Sequence, residues 1–273
     1  MSNKPETTSL KPKTGKLGTR GSELGTLFGV GVGPGDPGLV TIRAVEVIRA
    51  APVLAFPIHR QGGASRAFET VRRYVDGGKK ELPLLMPMTR NRQRLERAHA
   101  DAARLLAAAG RDGNIACLSL GDPLFYSTFG YLAVRYPGPV KVVAGVPAMS
   151  AAAAAAGLPL ASGDTPTSVI TGADVRSLGA AIGMNASIVI LKPRAMPLAA
   201  FDLLDEFDAW SRAGAAVELG GADEKIISPL DRATAEKLPY FAIVWIQPNE
   251  RMVDGEKPDA GSWMLDKPEK PDG

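Results

Sequence analysis

The chain has 273 residues, of which 45% are hydrophobic and 22% charged, with 30 Gly, 22 Pro and a single Cys. This composition is typical of globular proteins, and it excludes a collagen-like, wholly disordered or disulfide-built molecule. The formal charge of +3 is too small to indicate a nucleic-acid partner. No apolar stretch approaches the roughly 18 residues of a membrane span. We therefore expect no membrane partner, and the cytoplasm is the expected compartment.

The sequence holds few residues of the kinds that bind transition metals. His59 and His99 are its only histidines, and Cys117 is its only cysteine. Because structural zinc sites are built from several Cys and His ligands, we expect no metal site. Cys117 lies in the apolar run IACLSL and is predicted to be a buried core residue.

The two ends of the chain are polar, and the part between them alternates between apolar runs and stretches of helical length. Residues 1–24 predict a disordered leader, and residues 249–273 predict a flexible tail. In 91–110 the apolar residues recur at steps of three and four, which predicts a helix that stops at Gly110. Eight apolar runs predict strands, in order TLFGVGVG, APVLAFP, NIACLSL, VKVVAGV, TSVIT, ASIVILK, AAVEL and PYFAIVWI.

Near-continuous apolar strands that alternate with helices predict an α/β fold with mainly parallel sheets. Eight strands are more than one compact unit of average size usually contains, so we expect two α/β domains. Proline and glycine are dense at Tyr136-Pro137-Gly138-Pro139, and on that basis the N-terminal domain would span 25–138 and the C-terminal domain 139–248.

The first predicted strand runs into the glycine-rich loop Gly33-Pro34-Gly35-Asp36-Pro37-Gly38. This loop satisfies the dinucleotide-binding pattern G-x-G-x-x-G, and Asp36 and Pro37 would suit an N-cap and a first helical residue. However, Pro34 and Pro37 lack the N–H donors that a pyrophosphate needs, and Asp36 adds a carboxylate. The ribose-binding acid expected about 20 residues later is also missing. A nicotinamide-dependent oxidoreductase is therefore disfavoured, while a structural turn without a ligand stays open.

A second loop, which begins Gly121-Asp122-Pro123, follows the predicted strand NIACLSL. If the sheet is parallel, both loops leave the carboxyl ends of their strands, where α/β proteins bind ligands. Two such turns predict a pocket with exposed backbone amides and carbonyls and at least one carboxylate. This pocket would favour a ligand with a positive group over a polyphosphate. The alternative is that Asp122 only caps a helix.

The motifs GVGPGDP and GDPLFYS together resemble the tetrapyrrole (corrin and porphyrin) methylases, which use S-adenosylmethionine. The resemblance covers about 25–246, and ELPLLMPMTRNRQRLERA ahead of the second motif is most like the precorrin-2 carbon-20 methyltransferases of cobalamin biosynthesis. It implies two α/β domains with a cofactor cleft between them, a homodimer, and a tetrapyrrole polycarboxylate as substrate. The matching stretches are LFGVGVGPGDPGLVTIRA, LSLGDPLFYSTFGYL, VVAGVPAMSAAAAAAGLPL, IVILKPR and LPYFAIVWI.

The same resemblance implies which residues hold the cofactor and which could assist the reaction. Asp36 and Tyr126 are candidates for steering a proton or orienting the macrocycle, and each has an alternative role as a cap or packing residue. Methyl transfer needs alignment more than a strong acid or base, so no catalytic triad is expected. The residues implied to contact S-adenosylmethionine are Pro34, Leu120, Gly121, Asp122, Phe125, Pro147, Ala148, Leu191, Pro239 and Tyr240.

Positive charge is concentrated in residues 57–97, which carry ten bases and four acids, a net charge of +6. Because arginine pairs with carboxylates through two parallel hydrogen bonds, we expect Arg90, Arg92 and Arg94 to bind the substrate's acetate and propionate groups. The alternative is a solvated helix face with acidic partners on the same helix. A nucleic-acid-modifying relative is disfavoured because no aromatics are interleaved with these bases. A non-catalytic tetrapyrrole-binding relative stays open.

Overall fold

The computed structural model describes residues 24–89 and 91–249, and this part of the chain forms two five-stranded sheets. The expected leader and tail lie almost entirely outside the described residues. Within the described ranges, no helix is both long and apolar enough to cross a membrane.

The first sheet has strand order β3-β2-β4-β1-β5 and is parallel throughout. Each crossover runs over a face of the sheet, as parallel strands require. We call this sheet and its helices the first lobe. Its strands are β1 (Leu27–Gly31), β2 (Val53–Ile58), β3 (Lys80–Leu85), β4 (Ile115–Ser119) and β5 (Val140–Val143), and its helices are α1 (Ile42–Ala50), α2 (Arg66–Val71), α3 (Arg92–Ala109) and α4 (Phe129–Ala133).

The second sheet has strand order β6-β7-β10-β8-β9 and is mixed. Strands β6 and β7 are parallel, whereas β10 is antiparallel to both its neighbours and β9 is antiparallel to β8. We call this sheet and its helices the second lobe. Its strands are β6 (Thr167–Thr171), β7 (Ser187–Leu191), β8 (Ala213–Val217), β9 (Lys225–Ile227) and β10 (Ala242–Ile246), and its helices are α5 (Ala148–Ala156), α6 (Val175–Gly183), α7 (Leu198–Glu206) and α8 (Arg232–Ala235).

The predicted α/β class is confirmed, and all eight predicted strands are present. Two strands were missed, β3 and β9. Both lie at sheet edges and are largely exposed, so they lack the continuous apolar run of a buried strand. The second sheet also differs from the prediction of mainly parallel sheets, because most of its strand pairs are antiparallel. Only a short loop joins β8 to β9, and such a connection can join antiparallel neighbours but not parallel ones.

Each face of the first sheet carries its own apolar core. One core includes Val30, Leu54 and Leu118 beneath α1 and α2, and the other includes Leu106 of α3 and Phe129 of α4. Cys117 belongs to the second of these cores, as predicted, and its complete burial raises the pKa of its thiol to about 12. The thiol is therefore protonated at neutral pH and acts as a small apolar side chain.

Two helix starts show how closely local signals match the structure. Helix α3 matches the predicted range 91–110. Asn91 caps its start by accepting a hydrogen bond from Arg94 N at 2.9 Å, and Gly110 caps its end. The helix that was expected to begin at Pro37 begins five residues later, at Ile42. Asp36 does act as a cap, accepting from Gly38 N at 2.7 Å, but only for a single 3-10 turn. Helix α1 begins later and is capped by Thr41.

The chain passes from the first lobe to the second after β5. Strand β5 pairs with β1, whereas Ala151 and Ala152 of α5 pack with Val189 and Ala216 of the second sheet. A boundary between 138 and 139 would separate β5 from the sheet to which it belongs. We therefore propose that the boundary lies after Val143.

Candidate active site

Two loops from adjacent strands of the first sheet meet at its carboxyl edge. The loop after β1 and the loop after β4 form a small antiparallel bridge through Gly33 and Gly121. Gly33 N donates to Gly121 O at 3.3 Å, and Gly121 N donates to Gly33 O at 2.7 Å. The predicted convergence of these two loops is therefore present.

A third loop, after β5, touches the other two through its backbone. A Cβ atom built on Gly31 would lie 2.5 Å from Gly145 N and 2.8 Å from Gly121 O. A Cβ on Gly145 would lie less than 3.0 Å from both Gly121 O and the backbone of Gly31. Only glycine allows three backbones to approach this closely. We call Gly31, Gly121 and Gly145 the glycine junction.

Asp122 ties the second loop to the third. Its Oδ1 accepts a hydrogen bond from Leu124 N at 2.8 Å, and its Oδ2 accepts one from Gly145 N at 3.0 Å. No α-helix begins here, because the chain stays irregular until α4 starts at Phe129. The alternative role of Asp122 as a helix cap is therefore wrong. The carboxylate instead holds two loops together and leaves its negative charge at their junction.

Gly121 of the glycine junction and the neighbouring Asp122 line a cavity between the two lobes. The cavity is partly open to solvent and has a volume of about 170 Å³. Nine of the ten residues predicted to contact the cofactor line this cavity, and Pro239 alone does not; the nine are Pro34, Leu120, Gly121, Asp122, Phe125, Pro147, Ala148, Leu191 and Tyr240. Their role in binding a cofactor stays a prediction.

Other lining residues were not predicted. The sequence analysis counts Arg66 only as one of the ten bases in 57–97, because no local sequence pattern indicates that α2 reaches the second lobe. Phe241 adjoins the predicted Tyr240 and stacks edge-to-face on it, with ring centroids 5.1 Å apart. Partial burial raises the pKa of Tyr240, so its hydroxyl can donate a hydrogen bond at neutral pH. The unpredicted lining residues are Arg66, Met149, Lys192, Ala216, Leu219, Phe241, Ala242 and Ile243.

The two residues predicted to steer a proton do not line the cavity. Asp36 is exposed, and its carboxylate caps the turn described above. Tyr126 is 51% exposed and has a φ of 49°. Its hydroxyl donates to Val169 O at 3.3 Å, and its ring packs edge-to-face against Phe125, which does line the cavity. Tyr126 therefore stands near the rim and contacts the second lobe.

The arginines predicted to bind substrate lie around the start of α3. Arg92 and Arg94 are exposed in its first turn and do not line the cavity. Arg90 lies outside the described residues. The acids proposed as alternative partners pair elsewhere: Glu96 with Arg135 and Asp101 with Arg104. Within the described residues, Arg92 and Arg94 therefore have no acidic partner.

No group of three or more His, Cys, Asp or Glu side chains in 24–89 and 91–249 is arranged to hold a metal ion.

Two α/β lobes enclose a largely apolar cavity at the carboxyl edge of a parallel sheet. This arrangement defines a class of protein that binds a small ligand in the cleft between its lobes.

Comparison with known proteins identifies the family. The model of the Tetrapyrrole (Corrin/Porphyrin) Methylases matches residues 26–234, and the chain belongs to this family. It is 34% identical over 246 residues to a Sinorhizobium protein named Precorrin-2 C(20)-methyltransferase, covering 83% of this chain and 96% of the relative. It is 38% identical over 141 residues to a Methanocaldococcus jannaschii protein named Probable cobalt-precorrin-2 C(20)-methyltransferase, covering 50% of this chain and 60% of the relative.

Solved structures share the fold at lower sequence identity. A cobalt precorrin-4 methyltransferase superposes with a TM-score of 0.61 at 20% identity, covering 81% of this chain and 94% of the other. The uroporphyrin-III C-methyl transferase of Thermus thermophilus, solved in complex with S-adenyl homocysteine, superposes with a TM-score of 0.56 at 20% identity, covering 82% and 97%. These likenesses confirm the two-lobed fold.

Proposed function

We propose that this chain is an S-adenosylmethionine-dependent methyltransferase that methylates carbon 20 of precorrin-2, or of its cobalt form, to give precorrin-3A in cobalamin biosynthesis. The main support for the proposal is the cavity lined by Gly121 of the glycine junction and by Asp122. The near full-length relative named for this activity supports the choice of substrate. A different tetrapyrrole substrate, or a binding protein without catalysis, is the alternative.

The lining of the cavity suits S-adenosylmethionine in charge and polarity. Gly121 has a φ of 73°, a conformation that favours glycine, and it lines the cavity without a side chain. The negative charge of Asp122 favours a ligand that carries positive groups. The remaining lining is mostly apolar and suits an adenine ring and a methionine side chain; it includes Leu120, Phe125, Ala148 and Leu191.

When bound, S-adenosylmethionine supplies a methyl group on a positively charged sulfur. The residues of this chain align the reactants and exclude water, and positioning of this kind can supply much of the rate. A meso carbon in an enamine-like system is already nucleophilic, so no strong base is required for attack. We propose that Asp36 and Tyr126 orient the macrocycle or guide the released proton. For Tyr126, the contact of its hydroxyl with Val169 O in the second lobe supports this role.

Calorimetry with S-adenosylmethionine, followed by mass spectrometry of the product from precorrin-2, tests the function. We expect heat on binding and a product in which one methyl group replaces a hydrogen. Absence of heat would reject the methyltransferase proposal. Binding of the cofactor without conversion of precorrin-2 would favour another tetrapyrrole, and binding of the tetrapyrrole alone would favour the non-catalytic alternative.

We further propose that the protein is a homodimer, as the family resemblance implies, and that it acts in the cytoplasm. Sedimentation velocity measures the assembly directly. A single species with the mass of one chain at working concentrations would contradict the dimer.

The double variant Arg90→Ala/Arg92→Ala should raise the KM for the tetrapyrrole about tenfold, because each change removes a charge-assisted hydrogen bond to a substrate carboxylate. The affinity for S-adenosylmethionine should change little, since neither residue is among those predicted to contact the cofactor and Arg92 does not line the cavity. Steady-state kinetics with each reactant varied in turn makes the measurement. Arg104→Ala, an exposed change on the same helix that breaks a pair with Asp101, is the control. An unaltered KM in the double variant would refute the substrate role.

A further inference from the structure

An ion pair joins the two lobes beside the cavity, which Arg66 lines. Arg66 is the first residue of α2 in the first lobe, and Glu218 follows β8 in the second lobe. The Arg66 guanidinium donates to the Glu218 carboxylate, although the two residues are 152 positions apart in the chain. Their side chains are 29% and 30% exposed, so the pair is shielded from solvent more than an ordinary surface pair.

The pair is attached to the cavity wall through Phe241. The Arg66 guanidinium carbon lies 4.1 Å from the centroid of the Phe241 ring, in a cation–π contact. Glu218 N donates to Phe241 O at 2.9 Å. Both Arg66 and Phe241 line the cavity. Both members of the pair are therefore in direct contact with Phe241 of the cavity wall.

Backbone contact beside the pair fixes how close the lobes lie. A Cβ atom on Gly35 would lie less than 3.0 Å from Leu219 O, and one on Gly220 would lie less than 3.0 Å from Asp36 N. Both glycines have a positive φ, 147° and 72°. The loop after β1 and the loop after β8 thus touch without any side chain between them. The Arg66–Glu218 pair is an attractive interaction close to this contact and can help to hold the two lobes together there.

We propose that Arg66, Glu218 and Phe241 form a clasp that holds the lobes at the spacing at which the cavity retains its cofactor. Arg66 is a positioning residue, because it acts through Glu218 and Phe241. This inference rests on the proposed function for the identity of the ligand. The clasp sets how tightly the cofactor is held, whereas Arg92 and Arg94, which we propose to bind the substrate, lie elsewhere, in the first turn of α3.

A double-mutant cycle tests the clasp. Arg66→Ala and Glu218→Ala should each weaken S-adenosylmethionine binding about tenfold, within the 5- to 150-fold range of typical coupling effects. Their combination should be little worse than either one, because the second change removes a group that has already lost its partner. The KM for S-adenosylmethionine should rise in parallel, with the KM for the tetrapyrrole nearly unchanged. Arg66→Lys, which keeps the charge, should recover part of the affinity.

A matched control separates the clasp from a general loss of stability. Arg135 pairs with Glu96 inside the first lobe and is 31% exposed, close to the value for Arg66. Arg135→Ala should cost a similar amount of stability in thermal unfolding and leave cofactor affinity unchanged. Equal loss of affinity in Arg135→Ala, or additive effects of Arg66→Ala and Glu218→Ala, would overturn the proposal.

Small-angle scattering without cofactor provides a readout that does not depend on the activity. Arg66→Ala should have a larger radius of gyration than the wild type, and Arg135→Ala should not. If the wild type binds no S-adenosylmethionine yet Arg66→Ala expands, the proposed function fails and the clasp stands. If the wild type binds and converts precorrin-2 while Arg66→Ala keeps its size and its affinity, the clasp fails and the proposed function stands.

Discussion

Replacement of Gly145 by alanine should abolish cofactor binding while leaving a folded protein. The new Cβ would lie less than 3.0 Å from Gly121 O and from the backbone of Gly31. Backbone atoms cannot rotate away as a flexible side chain can, so the three loops of the glycine junction must separate. Forcing extra atoms into a packed site costs about 1–3 kcal/mol. A displacement of about 1 Å at a site that positions reactants can cost about 100-fold in rate, and we expect the affinity for S-adenosylmethionine to fall by a comparable factor.

Calorimetry with S-adenosylmethionine and thermal unfolding together make the measurement, with Gly130→Ala as the matched control. Gly130 lies in α4, and a Cβ there would meet nothing within 4 Å. Because alanine is a better helix former than glycine, the control should gain about 0.5–1 kcal/mol of stability and bind cofactor normally. Gly31→Ala should reproduce the defect of Gly145→Ala. Normal cofactor affinity in both junction variants would show that the three loops do not hold the cofactor.

Much of the fold can be predicted from local patterns in the sequence. Buried strands such as β4 and β10 are short and almost wholly apolar, and they stand out against the helices between them. The edge strand β3 carries Lys80 and Glu81 and is mostly exposed, so its pattern resembles a loop. The direction of β10 is set by its placement between β7 and β8, which no local pattern encodes.

In the candidate site, too, some residues can be predicted from local patterns and others cannot. Its glycine and proline loops follow strands directly, and the motifs place them at one edge of a sheet, so residues such as Gly121 and Asp122 were found. Arg66 and Phe241 meet only because the two lobes fold against each other. Their contact depends on the packing of elements far apart in the chain. Periodicity and spacing describe neighbours along the chain, and they contain no information about such a pair.

Removal of the carboxylate in Asp122→Ala should lower kcat/KM for S-adenosylmethionine about 100-fold. Its two oxygens accept hydrogen bonds from Leu124 N and Gly145 N, and loss of both leaves two backbone donors without partners. The Leu124 donor is exposed and can bond to water, but the Gly145 donor is partly buried, and an unsatisfied donor in such a place costs about 1–3 kcal/mol. The loops can avoid that cost only by moving apart. The negative charge that favours a cationic ligand is lost as well.

Asp122→Asn separates these two contributions, because asparagine keeps the shape and one acceptor oxygen but loses the charge and the second acceptor. We expect it to retain more cofactor affinity than Asp122→Ala and still bind less tightly than the wild type. Asp231→Asn is the control, since Asp231 also accepts through both oxygens, from Thr234 N at 2.8 Å and Thr234 Oγ1 at 3.1 Å, but caps α8 in the second lobe. It should lose a little stability and no affinity. If Asp122→Asn binds as the wild type does, the carboxylate is not needed at the cavity, and the convergence of the loops must be maintained by the glycine junction alone.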